Sequence, residues 1–178
     1  MAAIQVAEAG GAGYSQGSAL HALKRPVPAM SLAEVVPDPK YQVLKDVFGF
    51  DGFRPGQERV VDALLAGRNV LTVMPTGAGK SLCFQVPALV LGGLTVVVSP
   101  LIALMQDQVA ALRLAGVAAD AINSAQDREA NVAAWQRAAA GETRLLYLSP
   151  ERLMTDRMLA ALGRLDVRLI AIDEAHCV

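Results

Sequence analysis

The stretch that decides the fold is Asn69-Val70-Leu71-Thr72-Val73-Met74-Pro75-Thr76-Gly77-Ala78-Gly79-Lys80-Ser81. It begins as a short apolar run, turns through a proline and two glycines, and ends where a new apolar segment starts. A strand followed by a glycine-rich turn and a helix is the context that a phosphate-binding loop requires. Glycines let backbone N–H groups turn towards an anion, and the helix start adds the positive end of its dipole. We therefore predict that Thr76, Gly77, Ala78 and Gly79 cradle phosphate groups.

The two polar residues that close this stretch complete the prediction. Lys80 can reach the β and γ phosphates of a nucleotide, and the Ser81 hydroxyl can ligate Mg²⁺. Met74 stands where the general pattern of such loops has a glycine. A glycine-rich turn with a chance lysine is the alternative, and the strand and helix on either side make it the weaker one.

Outward from this loop, the chain alternates between short apolar runs and amphipathic segments. Such alternation predicts a parallel sheet covered by helices, an α/β fold. The predicted strands are 69–74, 94–99, 144–149 and 167–173, with a short fifth at 118–122. The predicted helices lie at about 57–66, 80–91, 101–115, 126–140 and 150–162.

Two kinds of signal mark the predicted helix ends. Ser99-Pro100 and Ser149-Pro150 each place a capping hydroxyl before a proline at the first helical position. Glycine follows four helices at the position where a left-handed residue is favoured, namely Gly67, Gly116, Gly141 and Gly163.

An acidic pair follows the last apolar run, in the order Asp173-Glu174-Ala175-His176. An aspartate at the carboxyl end of a buried parallel strand, beside a phosphate loop, is where Mg²⁺ is held in this class of ATPase. Glu174 is then placed to deprotonate the attacking water. Taken alone, such a pair would usually cap a helix, so the phosphate loop upstream carries the interpretation.

Length and composition limit the classes of protein that fit. The chain has 178 residues and a mass of 18.7 kDa, which suits one domain of ordinary size. A net charge of −1 leaves no bulk attraction to nucleic acid or membrane, so any contact with nucleic acid must be local. The two cysteines, Cys83 and Cys177, lie far apart without a CxxC pair, and the two histidines are His21 and His176, so we expect no zinc site. We expect residues 1–36 to be a flexible tail rich in alanine and glycine, and residues 37–178 to be the folded lobe.

The motifs at 74–81 and 173–176 together resemble those of a superfamily 2 helicase. Three further stretches, 48–57, 97–108 and 146–153, resemble the RecQ family of DNA helicases specifically. The resemblance runs from about Tyr41 to the last residue, and a methionine at the start of the phosphate loop is normal in that family. It implies a RecA-like lobe of the P-loop NTPase class with a mostly parallel sheet.

The resemblance implies how adenine is recognised. In the RecQ family an aromatic residue at the position of Phe50 and an arginine at Arg54 sandwich the base, while a glutamine at Gln57 bonds its edge. An amide can offer a donor and an acceptor together, and a guanidinium plane stacks on rings. Without the resemblance, Phe50 by itself would more readily be a core residue.

Two further segments resemble the family motifs that touch the sugar-phosphate backbone of single-stranded DNA. The residues expected to contribute are Ser99, Pro100, Gln106 and Asp107 in the first segment and Ser149, Pro150, Glu151 and Arg152 in the second. Without the resemblance both segments would be ordinary capped helix starts. His176 couples the ATP and DNA sites in the family, and from sequence alone it could equally be a capping or core histidine.

The implied activity is that of an ATP-binding lobe that couples Mg-ATP hydrolysis to 3′–5′ translocation on DNA and to unwinding. The implied ligands are ATP, Mg²⁺, and single-stranded and duplex DNA, in repair and recombination. A bacterial-type cytoplasmic location near the nucleoid is expected, with no signal peptide and no membrane contact. An RNA helicase of the Asp-Glu-Ala-His type is disfavoured by the adenine motif.

The sequence ends at Val178, so the expected lobe is incomplete at its C-terminus. The second RecA-like lobe with its arginine finger and the family's zinc module are not in this chain, and we expect this fragment alone to hydrolyse ATP poorly. The strand that separates the phosphate-loop strand from the Asp-Glu strand in related ATPases would also lie beyond residue 178. A free-standing nucleotide-binding module with a regulatory or scaffolding role is the alternative function, and the genomic sequence after Val178 distinguishes the two.

Overall fold

The short apolar runs of the sequence become strands, and the amphipathic segments between them become helices. The computed structural model describes residues 2–4, 37–75 and 77–175. The strands are β1 (Ala2–Ile4), β2 (Thr72–Met74), β3 (Leu94–Val98), β4 (Ala119–Ile122), β5 (Leu145–Leu148) and β6 (Val167–Ile172). The helices are α1 (Pro39–Asp46), α2 (Gln57–Leu65), α3 (Leu82–Leu91), α4 (Ile102–Leu114), α5 (Arg128–Ala139), α6 (Pro150–Leu153) and α7 (Asp156–Leu162). The predicted α/β fold class is confirmed.

Four of the strands form a parallel sheet in the order β4-β5-β3-β6. Every residue of β3, β4 and β5 is buried, as expected for strands covered by helices on both faces. The register pairs Val98 with both Leu148 and Ile172, and Leu148 with Ile122. The four strands therefore end together, and the residues after them share one edge of the sheet.

Strand β2, which leads into the phosphate loop, lies outside this sheet. It pairs antiparallel with β1, in the register Ala2 to Met74. Within the described residues it is not hydrogen-bonded to β6, the strand that leads to the Asp-Glu pair. The predicted strand at 69–74 is shortened to three residues.

The segment 1–36, which we expect to be a flexible tail, is described only at Ala2–Ile4. Those three residues form a strand, where the sequence shows no periodic pattern. The rest of the predicted tail lies outside the described residues.

Two hydrophobic clusters cover the two faces of the sheet. Phe84 of α3, Met105 of α4 and Val97 of β3 belong to one cluster, which also contains residues of α2. Ala134 of α5 and Leu162 of α7 belong to the other, with Leu94, Val96 and Val98 of β3. The alternation along β3 follows the period of two that a strand imposes, so one strand contributes to both cores.

Three predictions about helix ends are wrong. The helix predicted at 150–162 is two helices, because the Thr155 hydroxyl accepts a hydrogen bond from the backbone N–H of Met158 and so caps a new start. Ser99 does not cap α4, which begins at Ile102 after the extended residue Leu101, without a side-chain cap. Gly163 has a right-handed conformation, with a φ of −60°.

The Ser149-Pro150 signal is right about position and wrong about the hydrogen bond. Ser149 is the N-cap of α6 and Pro150 lies in its first turn, but the Ser149 hydroxyl donates to a carboxylate oxygen of Glu151 at 2.6 Å.

Helix α1 is an element that the sequence analysis did not predict. Asp38 caps it by accepting from the N–H of Lys40, with Pro39 in the first turn. Among the helices of the described part of the chain, none is long and apolar enough to cross a bilayer.

Asp120 of β4 is 3% exposed and lies at the centre of a polar cluster. It accepts hydrogen bonds from Thr143 Oγ1 at 2.6 Å, Arg137 Nη2 at 2.6 Å and Arg113 Nη2 at 2.7 Å. Burial tends to raise the pKa of this carboxyl, but the hydrogen bonds from Arg137 and Thr143 outweigh burial and hold the pKa below its usual range.

We predict that Asp120→Asn lowers the free energy of unfolding by about 2 kcal/mol at neutral pH, because both guanidinium groups lose their anionic partner. A carboxyl whose folded pKa is depressed stabilises the fold above its unfolded pKa, about 3.9, and this contribution is lost as the pH falls through the folded value. Urea unfolding at decreasing pH should therefore show wild type and variant converging in acid. Asp166→Asn, which removes the exposed pair with Arg168, is the control and should cost less than about 0.5 kcal/mol.

Candidate nucleotide-binding site

The loop between β2 and α3 depends on its glycines. Gly77 and Gly79 have φ values of +80° and +76°, in the left-handed region that glycine adopts freely. A Cβ at Gly79 would lie 2.6 Å from Nε2 of Gln57, whereas a Cβ at Gly77 would meet nothing within 4 Å. Gly79 is thus required by both its conformation and its close approach to α2. Thr76, which is predicted to share in this cradle, lies outside the described residues.

The phosphate loop and the acidic pair meet in the structure. Lys80 Nζ lies 3.4 Å from Oε1 of Glu174, and the two side chains are only 12% and 18% exposed. Ser81 follows as the N-cap of α3, and its hydroxyl makes no capping hydrogen bond to that helix. Two motifs far apart in the sequence therefore form one site at the carboxyl edge of the sheet.

Asp173, directly after β6, is held firmly at this edge. Its N–H donates to the carbonyl of Val98 at 2.8 Å, and its side chain is 3% exposed overall. One carboxylate oxygen accepts from the N–H of Glu174 at 3.0 Å and the other from Nε2 of Gln108 at 3.2 Å. Burial raises the pKa of Asp173, and the neighbouring charge of Glu174 adds to the rise.

Among the described residues, no Lys, Arg or His side chain forms an ion pair with Asp173. Burying a carboxylate without a cation is costly, so this oxygen pair is suited to a hard divalent cation such as Mg²⁺. Glu174 itself has a φ of +52°, an uncommon conformation for a residue with a side chain. The backbone after β6 thus turns sharply at Glu174, directly after Asp173.

The sequence analysis did not predict a chain of hydrogen-bonded polar side chains that reaches Asp173 through Gln108. Tyr147 of β5 donates from its hydroxyl to Oε1 of Gln108 at 2.8 Å, and Gln85 of α3 donates to the Tyr147 oxygen at 3.3 Å. Burial raises the pKa of Tyr147, so its hydroxyl remains a donor. A glutamine inside an apolar helix and a tyrosine inside an apolar strand were the available signals.

Two of the three predicted adenine residues, Arg54 and Gln57, bond the phosphate loop. Gln57, 1% exposed, accepts from the N–H of Arg54 at 2.8 Å and donates from Nε2 to the carbonyls of Ala78 and Gly79 at 3.0 and 2.9 Å. Arg54 donates from Nη1 to the carbonyl of Gly77 at 2.8 Å. Phe50 is 46% exposed, so it is not a core residue.

The two predicted DNA-contacting segments lie at the same edge, after β3 and β5. The Ser99 and Ser149 side chains are buried, and the Ser99 hydroxyl has no hydrogen-bond partner within the described structure. The more accessible members are Gln106 and Asp107 on α4 and Glu151 and Arg152 on α6, with Pro100 and Pro150 half-buried. His176 lies outside the described residues.

A parallel sheet, a glycine-rich loop before a helix, and a lysine that meets an Asp-Glu pair at the carboxyl edge define a P-loop nucleoside triphosphatase lobe of the RecA-like type. The comparison with protein families then identifies which one. The profile described as "DEAD/DEAH box helicase" matches residues 54–178. The chain belongs to this helicase family.

The comparison with known proteins found relatives that are named as RecQ helicases. The chain is 47% identical over 148 residues to "ATP-dependent DNA helicase RecQ" of Haemophilus influenzae, covering 83% of the chain and 24% of that protein. It is 48% identical over 136 residues to the protein of the same name from Pasteurella multocida, covering 76% of the chain and 22% of that protein. For Bacillus subtilis the identity is 44% over 137 residues, with 76% and 23% covered. The chain thus spans about a quarter of the length of these relatives.

We predict that Gln108→Ala, in the full-length helicase, raises the Mg²⁺ concentration needed for half-maximal ATP hydrolysis about tenfold. Loss of a hydrogen bond to a charged group, worth roughly 1.5–3 kcal/mol, frees the Asp173 carboxylate to rotate. Tyr147→Phe removes the donor that orients Gln108 and should act in the same direction with a smaller effect. Gln42→Ala, at an exposed position of α1, is the control. An unchanged Mg²⁺ dependence in both site variants, with intact thermal unfolding, would remove Gln108 from this role.

Proposed function

We propose that this lobe binds Mg-ATP in a RecQ-like DNA helicase and that hydrolysis drives translocation on single-stranded DNA and unwinding of duplex DNA. The observation that carries the proposal is the 3.4 Å contact between Lys80 and Glu174, which unites the phosphate loop with the acidic motif. The relatives named above are ATP-dependent DNA helicases, and the same activity is proposed here for the whole protein.

The phosphate groups are proposed to lie over the loop at Gly77, Ala78 and Gly79, with Thr76 completing the cradle. The left-handed glycines turn backbone N–H groups towards an anion, and α3 directs its N-terminus to the same point. Lys80 is the cation of the site, and on binding it would exchange its contact with Glu174 for the β and γ phosphates.

Mg²⁺ is proposed to be held by the Ser81 hydroxyl and the Asp173 carboxylate. When bound, the ion neutralises charge on the phosphate oxygens during transfer. Asp173 suits this role because its two oxygens are oriented by Gln108 and by the N–H of Glu174. The zinc module of the family is proposed to lie in a part of the helicase that this chain does not include.

Glu174 is proposed as the general base. Its side chain is 18% exposed, so it is open enough to meet a water molecule and close enough to Lys80 to be positioned. The base must accept a proton from the attacking water, which a carboxylate can do and an amide cannot. His176, two residues on, is proposed to couple this site to the DNA-contacting segments.

Adenine recognition is proposed for Phe50, Arg54 and Gln57. Both N–H bonds of the Gln57 amide donate to the carbonyls of Ala78 and Gly79. Bonding the N7 acceptor of adenine therefore requires one of these hydrogen bonds to break. Recognition of adenine by Gln57 is thereby linked to the loss of a hydrogen bond to the phosphate loop.

DNA contact is proposed for the segments after β3 and β5. Gln106, Asp107, Glu151 and Arg152 are exposed there, while the backbone at Ser99-Pro100 and Ser149-Pro150 sets the start of each segment. The Gln106 amide and backbone N–H groups at this edge can donate to a sugar-phosphate chain without a large positive charge, which suits a net charge of −1. A second lobe with an arginine finger is proposed to complete the catalytic site.

We predict that Lys80→Ala abolishes ATP hydrolysis and unwinding in the full-length helicase while leaving the fold intact. Removing the ammonium group leaves the phosphates without their charged partner, a loss of roughly 2–3 kcal/mol that corresponds to more than tenfold in rate. Steady-state ATPase assays and a thermal melt measure the two effects. Activity above about a tenth of wild type would exclude the role of Lys80.

We predict that Glu174→Gln keeps nucleotide affinity and loses turnover in the same helicase. The amide preserves the shape of the side chain but cannot take the proton of the attacking water. Equilibrium binding of a labelled ATP analogue and single-turnover hydrolysis separate the two quantities. If affinity and turnover fell by the same factor, Glu174 would be a structural residue.

A further inference from the structure

A groove of about 820 Å³ lies between α5 on one side and α6 and α7 on the other. Its floor includes Ile122, the last residue of β4. The groove therefore opens at the same carboxyl edge as Ser149–Arg152, one strand further from the nucleotide site. Because the sheet order is β4-β5-β3-β6, a path that runs from Ser99 past Ser149 continues into this groove.

The charged side chains that line the groove are all positive. Arg128, Arg152 and Arg157 line it, and no carboxylate side chain does. In the part of the chain that the structure describes, none of these three guanidinium groups lies within 4 Å of a carboxylate, whereas Arg113, Arg137 and Arg168 all form ion pairs. Such a cluster in a chain of net charge −1 indicates an anionic ligand.

The groove also carries an aromatic surface. Trp135 of α5, the single tryptophan of the chain, is half-buried: it packs against the core below and lines the groove above. Met158 of α7 lies on the opposite wall. A flat aromatic side chain among arginines is the combination that holds successive bases and phosphates of a single strand.

An amide completes the set of groups that a nucleic acid would contact. Gln126 lines the groove, and its side-chain oxygen is buried without a hydrogen-bond partner in the described structure. A buried polar atom without a partner is uncommon in a folded protein. An amide can bond to the edge of a base. A purely acidic peptide would satisfy the arginines but would use neither Gln126 nor the face of Trp135 in this way.

We propose that this groove binds single-stranded DNA beyond the segment Ser149–Arg152. A base stacks on Trp135, and the neighbouring phosphates pair with Arg128 and Arg157. The inference rests on the proposed function, since it extends the DNA path of the same lobe. It assigns a stacking site to a part of the surface outside both predicted DNA segments.

Trp135 is itself the probe for this site. A fluorescein-labelled oligothymidylate should raise its own anisotropy on binding the chain and, at the same concentrations, quench the tryptophan emission. Binding without any change in tryptophan emission would overturn the proposal that the groove binds DNA and would leave the proposed function standing. Failure of wild type to bind the oligonucleotide at all would overturn the proposed DNA contact itself.

Substitutions separate the roles of charge and stacking. Arg128→Gln with Arg157→Gln should raise the Kd about tenfold at low salt and reduce the slope of log K against log salt by about 1.4, since each phosphate contact on a single strand contributes about 0.7. Trp135→Leu should raise the Kd severalfold without changing that slope. Arg68→Gln with Arg164→Gln is the matched control, because both arginines are exposed and precede β2 and β6 at the opposite edge. Equal losses in the two double variants would overturn the assignment.

A second measurement keeps the test independent of how each variant folds. An oligonucleotide carrying 5-iododeoxyuridine is photocrosslinked to the full-length wild-type helicase, and the adduct is mapped by mass spectrometry. We expect an adduct on the peptide that contains Trp135; adducts confined to other peptides would overturn the proposal. Oligoglutamate serves as a competitor, and displacement of the oligonucleotide at lower concentrations than unlabelled oligothymidylate would assign the groove to an acidic protein partner instead.

Discussion

The ion pair between Lys80 and Glu174 joins two elements that the sheet does not join. Lys80 follows β2, which lies outside the four-stranded sheet, and Glu174 follows β6 at its edge. Without ladder hydrogen bonds between these strands, the phosphate loop keeps its place through side chains. Gln57, at the start of α2, and Arg54, just before that helix, hold the loop carbonyls, and Met74 packs into the core shared with α3. Displacement of β2 would therefore separate the cation of the site from its acidic motif.

Uncharged amides carry much of the connection between parts of this site. Gln57 links α2 to the phosphate loop, and Gln108 links α4 to Asp173. An amide has two donor and two acceptor positions and does not titrate, so it can exchange partners without a change in charge. Gln108 belongs to the segment for which DNA contact is proposed, and a shift of α4 on DNA would reach Asp173 through one hydrogen bond. This route lies within the described residues and adds to the coupling proposed for His176.

The residues of the proposed sites lie in a row along the carboxyl edge of the sheet. Asp173 follows β6, Ser99 follows β3, Ser149 follows β5, and the arginine-lined groove adjoins the end of β4. Parallel strands direct their carboxyl ends to one edge, so residues from distant parts of the sequence become neighbours. The proposed nucleotide chemistry at one end of this row and the proposed DNA contact towards the other follow from strand order. The net charge of −1 gives no indication of this arrangement, because acidic residues elsewhere in the chain balance the charge of the arginines in the groove.

The sequence by itself determined the α/β class, the positions of most elements, and the phosphate loop and acidic pair, because these depend on local patterns: periodicity, glycine conformation and residue type. Local patterns were weakest at helix starts, where other local hydrogen bonds and backbone conformations compete with the expected cap. Ser99 is followed by an extended residue, Ser149 bonds Glu151, and Thr155 starts a new helix where one helix was predicted. Only the tertiary structure decided that Gln57 bonds the loop, that Tyr147 and Gln108 reach Asp173, and that Trp135 faces arginines. Each of these depends on which distant strands and helices are neighbours, and strand order is set by the packing of the whole core, which no local pattern encodes.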